Sequence, residues 1–248
     1  MTDQRRKAAI VTGGGRNIGR AVALGLARHG FDVAINGSSN RAACDSVAAE
    51  IRALGAKALV VMADVGHPDE CARLAAEAIA AFGGVDVLVN NAALRPSKPF
   101  LETGDTEWRR VMSVDLDAAV WLARACLPGM LERRWGRIVN FTGMNAIQGY
   151  GGRAAVSVAK HGIWGLTKAL SKEFAGHGIT VNAISPGPIA ADEPDPAEAS
   201  HQHATLSRVP AGRLGTPAEV AAVVMMLVSE QGAYVSGQMM QVNGGAQT

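Results

Sequence analysis

A glycine-rich turn between the first predicted strand and the first predicted helix is the clearest binding feature of the sequence. Residues 12–19 read Thr-Gly-Gly-Gly-Arg-Asn-Ile-Gly. Glycines let a turn adopt positive φ and let a pyrophosphate approach the backbone, while the start of the following helix offers N–H groups and the positive end of a dipole. A phosphate-binding P-loop is excluded because Arg20 and Ala21 follow Gly19, where that motif needs Lys and then Ser or Thr. The turn therefore predicts a dinucleotide site.

The end of the second predicted strand favours NADP(H) over NAD(H). Enzymes that use NAD usually carry an Asp or Glu there, which binds the ribose hydroxyls. Residues 35–41 contain no acid. Arg16 and Arg41 would pair with a 2′-phosphate, and Ser38 and Asn40 would donate hydrogen bonds to it. The alternative is that both arginines are solvated surface charges, which leaves NAD as a second candidate cofactor.

Strand-length apolar runs alternate with helix-length amphipathic runs along the whole chain. This alternation predicts right-handed βαβ units and hence an α/β fold, a Rossmann-type doubly wound parallel sheet of about seven strands with helices on both faces. The predicted strands are residues 8–12, 33–36, 58–62, 85–89, 137–141, 180–184 and 239–242. The predicted helices are residues 18–29, 41–54, 68–82, 106–134, 153–177 and 217–229.

One segment interrupts an otherwise uniform chain. No linker, repeat or change of composition divides the 248 residues, so we expect a single dinucleotide-binding domain over residues 1–248. Residues 190–210 are rich in Pro, Ala, Asp, Glu and His and lack a strong core pattern. They follow the sixth strand, and open α/β sheets bind ligands beyond the carboxyl ends of their strands. We expect this segment to be a substrate lid.

Charge and cysteine content exclude several classes of protein. The net charge is +2 with no basic stripe, which argues against a nucleic-acid partner. No apolar run approaches membrane-spanning length and no secretory signal is recognisable, so no membrane partner is expected. Three scattered cysteines suggest neither a disulfide framework nor a redox motif, which favours a cytoplasmic location. His201 and His203 have no third ligand in a supporting pattern, so no metal is predicted.

Several motifs, in order along the chain, resemble the short-chain dehydrogenase/reductase family. They are residues 12–19, Asn-Asn-Ala-Ala at 90–93, Ser-Pro-Gly at 185–187, Arg-Leu-Gly-Thr-Pro at 213–217 and Val-Asn-Gly-Gly at 242–245. The resemblance covers almost the full length, extends to the 3-oxoacyl-carrier-protein-reductase-like members, and implies an NAD(P)(H)-dependent oxidoreductase. Asn17 replaces the family's middle glycine, a mild departure because Asn tolerates the left-handed region.

The resemblance also implies which residues bind the cofactor. Asp64 stands where the family holds the adenine edge, Lys160 where it holds the nicotinamide ribose, and Pro186 and Gly187 form the motif beside the nicotinamide. The predicted cofactor-binding residues are Gly13, Gly15, Arg16, Asn17, Ile18, Gly19, Ser38, Asn40, Arg41, Asp64, Val65, Asn91, Ala92, Ala93, Lys160, Pro186, Gly187 and Ile189.

Three of the four positions that the resemblance assigns to catalysis carry unexpected residues. The family uses an Asn, a Ser that polarises the carbonyl, and a Tyr-x-x-x-Lys pair whose Tyr transfers the proton. With Lys160 as the anchor, Val156 stands at the Tyr position, Gly143 at the Ser position and Asp115 at the Asn position. Since neither Val156 nor Gly143 can supply a hydroxyl, we expect carbonyl reduction by the family mechanism to be crippled.

Other residues near these positions are candidates for the replacement acid. Tyr150 has a phenol but stands six residues before Val156, so the alternative is that it forms a wall of the substrate pocket. Lys160 would donate a proton if desolvated, with Asp115 as its partner; the alternative is that it holds the ribose, as the resemblance implies. Thr142 is expected to point away because side chains alternate along a strand.

Three functions follow from these observations. The first is an NADP(H)-dependent oxidoreductase with a rewired site and a small-molecule substrate. The second is a catalytically silent dinucleotide-binding subunit, and the third is a lyase or isomerase on the same fold. The helices at 106–134 and 153–177 resemble the family's dimer-forming pair, and the last strand resembles its tetramer contact. A homotetramer or homodimer is therefore expected.

Overall fold

Seven parallel strands form one sheet in the order β3-β2-β1-β4-β5-β6-β7. The computed structural model describes residues 5–191, 206 and 209–247. The strands are β1 (Ala8–Val11), β2 (Asp32–Gly37), β3 (Ala58–Met62), β4 (Val87–Asn90), β5 (Gly136–Phe141), β6 (Ile179–Pro186) and β7 (Met239–Val242). The strand order reverses between β1 and β4, and this reversal opens a crevice beyond their carboxyl ends. The predicted single-domain, doubly wound α/β fold is confirmed.

Helices cover both faces of the sheet, and each face has its own core. The helices are α1 (Asn17–Arg28), α2 (Arg41–Ala53), α3 (Pro68–Phe82), α4 (Asp105–Met112), α5 (Ala118–Arg133), α6 (Ala154–Phe174) and α7 (Pro217–Val228). Helices α1, α2 and α7 pack on one face with strand residues such as Val33 and Ile35. Helices α3 and α5 pack on the other with Ala34 and Ile138. Successive strand residues reach opposite faces, which is why nearly continuous apolar strands are needed.

The helix predicted over residues 106–134 is divided in the structure. α4 ends at Met112, a π-helical turn follows over Ser113–Asp117, and α5 begins at Ala118. Such single-turn π segments are rare and are frequent at functional sites. Asp115 lies in this turn and is 3% exposed. The apolar pattern of the sequence does not signal the turn, because a π turn changes the hydrogen bonding and not the residue types.

The other predicted elements agree with the structure to within the usual uncertainty of element ends. β4 begins at Val87 and not at residue 85, since the buried Asp86 carboxylate instead accepts the Ala8 amide at 2.8 Å. The last turn of the fifth predicted helix, over residues 153–177, is a 3₁₀ turn over Ala175–His177. Among the described residues, no helix has the length and apolar character needed to cross a membrane.

Candidate functional site

The glycine-rich turn joins β1 to α1 in a conformation that larger side chains would prevent. Gly13 has a φ of +62°, and a Cβ on Gly19 would collide with the Gly13 carbonyl oxygen. A Cβ on Gly15 would lie 2.9 Å from Cys44 Sγ. Asn17 has a φ of +49°, so the left-handed conformation expected of this Asn is confirmed. Among the residues that the structure describes, no side chain caps α1 and no acid lies in its first turn, an arrangement suited to an anion.

Thr12 and Asn91 join the turn to the end of β4. The Thr12 hydroxyl accepts hydrogen bonds from the Asn91 and Ala92 amides at 2.9 and 3.0 Å. Asn91 Nδ2 donates to the carbonyl oxygens of Thr12 and Gly13 at 2.9 and 3.1 Å. The neighbouring Ala93 is half-buried. Sequence reasoning missed Thr12; its position at the strand end, directly before the glycines, was the available signal.

The surface beyond β2 carries polar side chains and unpaired positive charge. Ser38 and Asn40 are exposed, and Asn40 Oδ1 caps α2 by accepting the Ala43 amide at 2.9 Å. Arg41 lies 3.3 Å from Asp45 in an exposed ion pair. Arg16 is exposed, and no carboxylate of the described part of the chain lies within 4.0 Å of it. Of the two arginines expected at a 2′-phosphate, Arg16 is therefore the one left without a partner carboxylate.

Asp64 is already held by neighbouring groups at the end of β3. Its carboxylate accepts the Gly66 amide at 2.9 Å and the Arg110 guanidinium at 2.8 and 2.9 Å. Burial raises the pKa of Asp64, but the Gly66 and Arg110 hydrogen bonds outweigh it and leave that pKa lowered. Val65 is buried, and Ile18, in the first turn of α1, packs against the edge of the core.

The residues after β6 form the opposite wall of the crevice. The Gly187 amide donates to the Val242 carbonyl at 2.9 Å, and a Cβ on Gly187 would lie 2.6 Å from Asn243 Cα. Ile189 forms an isolated bridge with Gly215. The predicted lid at residues 190–210 falls mostly outside the described residues.

Lys160 and Asp115 form a buried ion pair between α6 and the π turn. Lys160 Nζ lies 3.2 Å from Asp115 Oδ2, with the two side chains 6% and 0% exposed. Lys160 Nζ also donates to the Phe141 carbonyl at 3.1 Å, and Asp115 Oδ1 accepts the Leu94 amide at 2.6 Å. Burial lowers the pKa of Lys160, while the Asp115 carboxylate opposes that shift. The pair ties α6 to the loop after β4.

A chain of side-chain hydrogen bonds crosses the sheet beside this pair. Asn90 Nδ2 donates to Asn140 Oδ1 at 2.8 Å, and Asn140 Nδ2 donates to Thr167 Oγ1 at 2.9 Å. The Thr167 hydroxyl donates to the Ile163 carbonyl at 2.8 Å. Because the amide group of Asn90 is turned to Asn140, its Oδ1 is left buried without a partner. Sequence reasoning singled out neither Asn140 nor Thr167, which no motif marks.

A small cavity lies between Asn90, at the start of this series of hydrogen bonds, and the Lys160–Asp115 ion pair. Its volume is about 10 Å³, and its lining includes Asn90, Asp115 and Lys160. Asn90 Oδ1 accepts no hydrogen bond, and Asp115 Oδ2 accepts none that is well aligned despite its proximity to Lys160. Two acceptors and an ammonium group suit one water molecule, since buried waters usually make about three hydrogen bonds.

Gly143 and Val156, at the positions that the resemblance equates with Ser and Tyr, differ in backbone conformation and in packing. Gly143 has φ and ψ of +86° and 172°, a conformation that L side chains rarely adopt. A Cβ there would meet nothing closer than the Pro186 carbonyl oxygen at 4.0 Å. Val156 is 2% exposed and packs with Val111 and Leu94. Position 143 thus has space for a side chain but a backbone conformation that favours glycine, whereas position 156 is occupied by a buried apolar side chain.

Neither nearby hydroxyl candidate joins the ion pair. The Tyr150 ring is 37% exposed, and its hydroxyl accepts a hydrogen bond from Gln148 Nε2. No hydrogen bond links Tyr150 to Lys160 or Asp115 within the described ranges. The Thr142 hydroxyl donates to the Ile184 carbonyl at 3.0 Å, so its predicted orientation away from the crevice is confirmed. No cluster of three potential metal ligands occurs among the residues that the structure describes.

Comparisons with known proteins agree with this architecture. A family model described as enoyl-(acyl carrier protein) reductase matches residues 13–247. The 3-oxoacyl-(acyl-carrier-protein) reductase FabG of Staphylococcus epidermidis is 36% identical over 239 residues, which is 96% of this chain and 98% of that protein. The 3-oxoacyl-(acyl-carrier-protein) reductase of a Synechocystis species is 37% identical over 246 residues, with 99% and 98% coverage.

A solved structure shares the same fold. The acetoin dehydrogenase YohF of Salmonella typhimurium superposes with a TM-score of 0.90 at 34% identity, covering 97% of this chain and 95% of that one. Fold, motifs and relatives together define a dinucleotide-fold protein with its site at the carboxyl ends of the strands. The chain belongs to the short-chain dehydrogenase/reductase family of oxidoreductases.

Proposed function

We propose that this protein is an NADP(H)-dependent oxidoreductase whose proton is managed by the Asp115–Lys160 pair. The observation that carries the proposal is the buried Lys160 ammonium 3.2 Å from Asp115, beside a cavity of about 10 Å³. The residues at positions 143 and 156 have no hydroxyl. Lys160 and Asp115 therefore carry the titratable groups that remain among the four catalytic positions.

The cradle at α1 fits a dinucleotide in both shape and charge. Gly13 and Gly19 leave the backbone accessible, and the first turn of α1 has neither a side-chain cap nor an acid. These features favour a pyrophosphate at this helix start. Arg16, in the turn before α1, has no carboxylate within 4.0 Å in the described part of the chain, and Ser38 and Asn40 beyond β2 are exposed, which supports NADP(H) over NAD(H). When bound, the cofactor supplies the hydride.

The chain's own residues would handle the proton in carbonyl reduction. The carbonyl carbon accepts the hydride, and its oxygen accepts a proton that originates on Lys160 Nζ. Burial lowers the pKa of Lys160 and makes its ammonium a better acid than an exposed lysine. The deprotonated amine then regains a proton from solvent. Asp115 positions the Lys160 ammonium. Its carboxylate compensates the ammonium charge before the proton transfer and again after Lys160 has regained a proton.

Cofactor choice is tested by titrating NADPH and NADH against the wild type and Arg16→Leu. We expect the variant to lose about tenfold in NADPH affinity, the scale of one charged hydrogen bond, with no change for NADH. Arg28→Leu, an exposed arginine in the last turn of α1, is the matched control and should bind both as the wild type does. Equal NADPH and NADH affinity in the wild type would contradict the NADP(H) assignment.

The proton role is tested by cofactor oxidation with a panel of small ketones. Lys160→Met should lower the rate by at least about 10²-fold, the contribution of a positioned acid. NADPH binding must be measured in parallel, because a loss of binding alone would mean that Lys160 holds the ribose. A Lys160→Met rate equal to that of the wild type would contradict the proposal.

A second candidate is a dinucleotide-binding subunit without turnover. It is favoured by the nearly complete burial of Lys160, whose charge is already compensated within the protein. Tight NADPH binding without oxidation of the cofactor by any ketone in the panel would support this candidate. A lyase or isomerase is supported by no specific contact among the described residues.

The assembly and the location of the protein are further parts of the proposal. Val158 on α6 is 47% exposed, and Met239 and Met240 at the sheet edge are only half-buried, which supports self-association into a homotetramer or homodimer. A monomer by native mass measurement would contradict it. Cys44, Cys71 and Cys126 are buried free thiols, consistent with a reducing, cytoplasmic setting.

A further inference from the structure

The loop after β4 brings an arginine to the rim of the site. The Leu94 amide donates to Asp115 Oδ1 at 2.6 Å, and the Lys98 amide donates to the Gly152 carbonyl at 2.8 Å. Arg95 lies between these two anchors and is exposed. Consecutive Cα atoms are about 3.8 Å apart, so the Arg95 backbone starts one residue beyond the Asp115 contact. Its position beside the ion pair is thereby determined by the fold.

The charges around Arg95 do not balance. Within the described part of the chain, no carboxylate lies within 4.0 Å of its guanidinium. The neighbouring Asp115 is already bound by the Leu94 amide and Lys160. Lys98, the other cation of this loop, is paired with Glu107 at 3.2 Å. Burial lowers the pKa of Lys160, the Asp115 carboxylate opposes that shift, and the positive charge of Arg95 adds to it, so the Arg95 charge acts on the ion pair.

We propose that Arg95 binds a carboxylate of the substrate, and that the substrate is a small oxo-carboxylate. A guanidinium matches the two oxygens of a carboxylate in a bidentate geometry. Such an anion would pair with the Arg95 guanidinium, whereas a neutral ketone or thioester would leave it without a charged partner. This inference rests on the proposed function, because it names the substrate class of the same site.

The test compares acetoacetate with its neutral methyl ester as ligands of the wild-type protein and of Arg95→Leu. Calorimetric titrations are made with and without saturating NADP⁺. We expect the wild type to bind acetoacetate at least about tenfold more tightly than methyl acetoacetate, equivalent to ~1.4 kcal/mol. Arg95→Leu should lose this preference and leave ester binding unchanged. Arg95→Lys, which keeps the charge without the planar fork, should retain part of it.

Arg28→Leu is the matched control, since it removes an exposed arginine on α1 and should leave the preference intact. Equal binding of acid and ester, no acetoacetate binding by the wild type, or full preference in Arg95→Leu would each overturn the assignment. Failure of NADP⁺ to bind would overturn the proposed function instead. The acid–ester comparison on the protein alone would still decide the role of Arg95.

Discussion

The two halves of the crevice differ in whether their positive charges are paired within the protein. In the cradle at the start of α1, no side chain caps the helix and Arg16 has no carboxylate within 4.0 Å among the described residues. Beside α6, Lys160 and Asp115 are almost fully buried and pair with each other. The first arrangement leaves positive charge to a ligand, whereas the second compensates it inside the protein.

Under the proposed function, binding a dinucleotide and handling a proton are separate properties of the fold. The cradle depends on backbone groups and small residues such as Gly13 and Gly19, which tolerate little change. The proton-handling half depends on side chains that project from α6 and the π turn. Under the proposal, those side chains have changed while the cradle has kept its form.

The largest expected effect is the loss of stability on breaking the buried pair. Asp115→Ala should lower the free energy of unfolding by about 3–5 kcal/mol, because it leaves Lys160 charged, buried and unpaired. Denaturant unfolding measures this change. Asp115→Asn keeps an acceptor for the Leu94 amide and should therefore lower the free energy of unfolding by less than Asp115→Ala does.

The matched control lies in the other half of the site. Asp45→Ala removes an exposed partner of Arg41 and should cost only about 0–1 kcal/mol. If the two alanine variants lose the same stability, the contrast between buried and exposed charge is wrong.

A smaller effect is expected at Gly143, whose positive φ would strain a residue with a side chain. Gly143→Ala should lower the free energy of unfolding by about 1–3 kcal/mol, because φ is +86° there even though a Cβ would have space. Gly151, in the same loop, does not have a positive φ, and a Cβ there would meet no atom within 4 Å. Gly151→Ala should therefore change the free energy of unfolding by no more than about 1 kcal/mol. Thermal or denaturant unfolding of both variants tests this, and equal effects would contradict it.

The smallest effect is a change in pH dependence. Since burial lowers the pKa of Lys160 in the folded state, the unfolded chain keeps this proton to higher pH. Unfolding therefore takes up a proton between the two pKa values, and the free energy of unfolding rises with pH there, by at most ~1.4 kcal/mol per pH unit. Lys160→Met should lack this contribution when its urea unfolding is compared with that of the wild type from pH 7 to 10. Identical slopes would show that Lys160 does not titrate differently on folding.

Much of the fold and part of the site follow from local sequence patterns. The alternation of strands and helices predicts the parallel sheet, and the glycine spacing predicts a turn in which Asn17 adopts positive φ, as the structure shows. The π turn at Ser113–Asp117 and the hydrogen-bond chain through Asn140 and Thr167 were not predictable. The π turn changes the local hydrogen bonding without a change of residue type, whereas the hydrogen-bond chain joins residues far apart in the sequence, which no motif spacing encodes.

The sequence by itself determined the alternation of strands and helices along the chain, the glycine-rich turn before α1, and the absence of hydroxyl groups at positions 143 and 156. Only the tertiary structure decided that Lys160 pairs with Asp115, that Gly143 adopts a positive φ, and that Arg95 has no carboxylate within 4.0 Å among the described residues. The physical reason is that residue types and short-range periodicity are local. Burial, ion pairing and the direction of a hydrogen bond depend instead on which distant segments the folded sheet brings together.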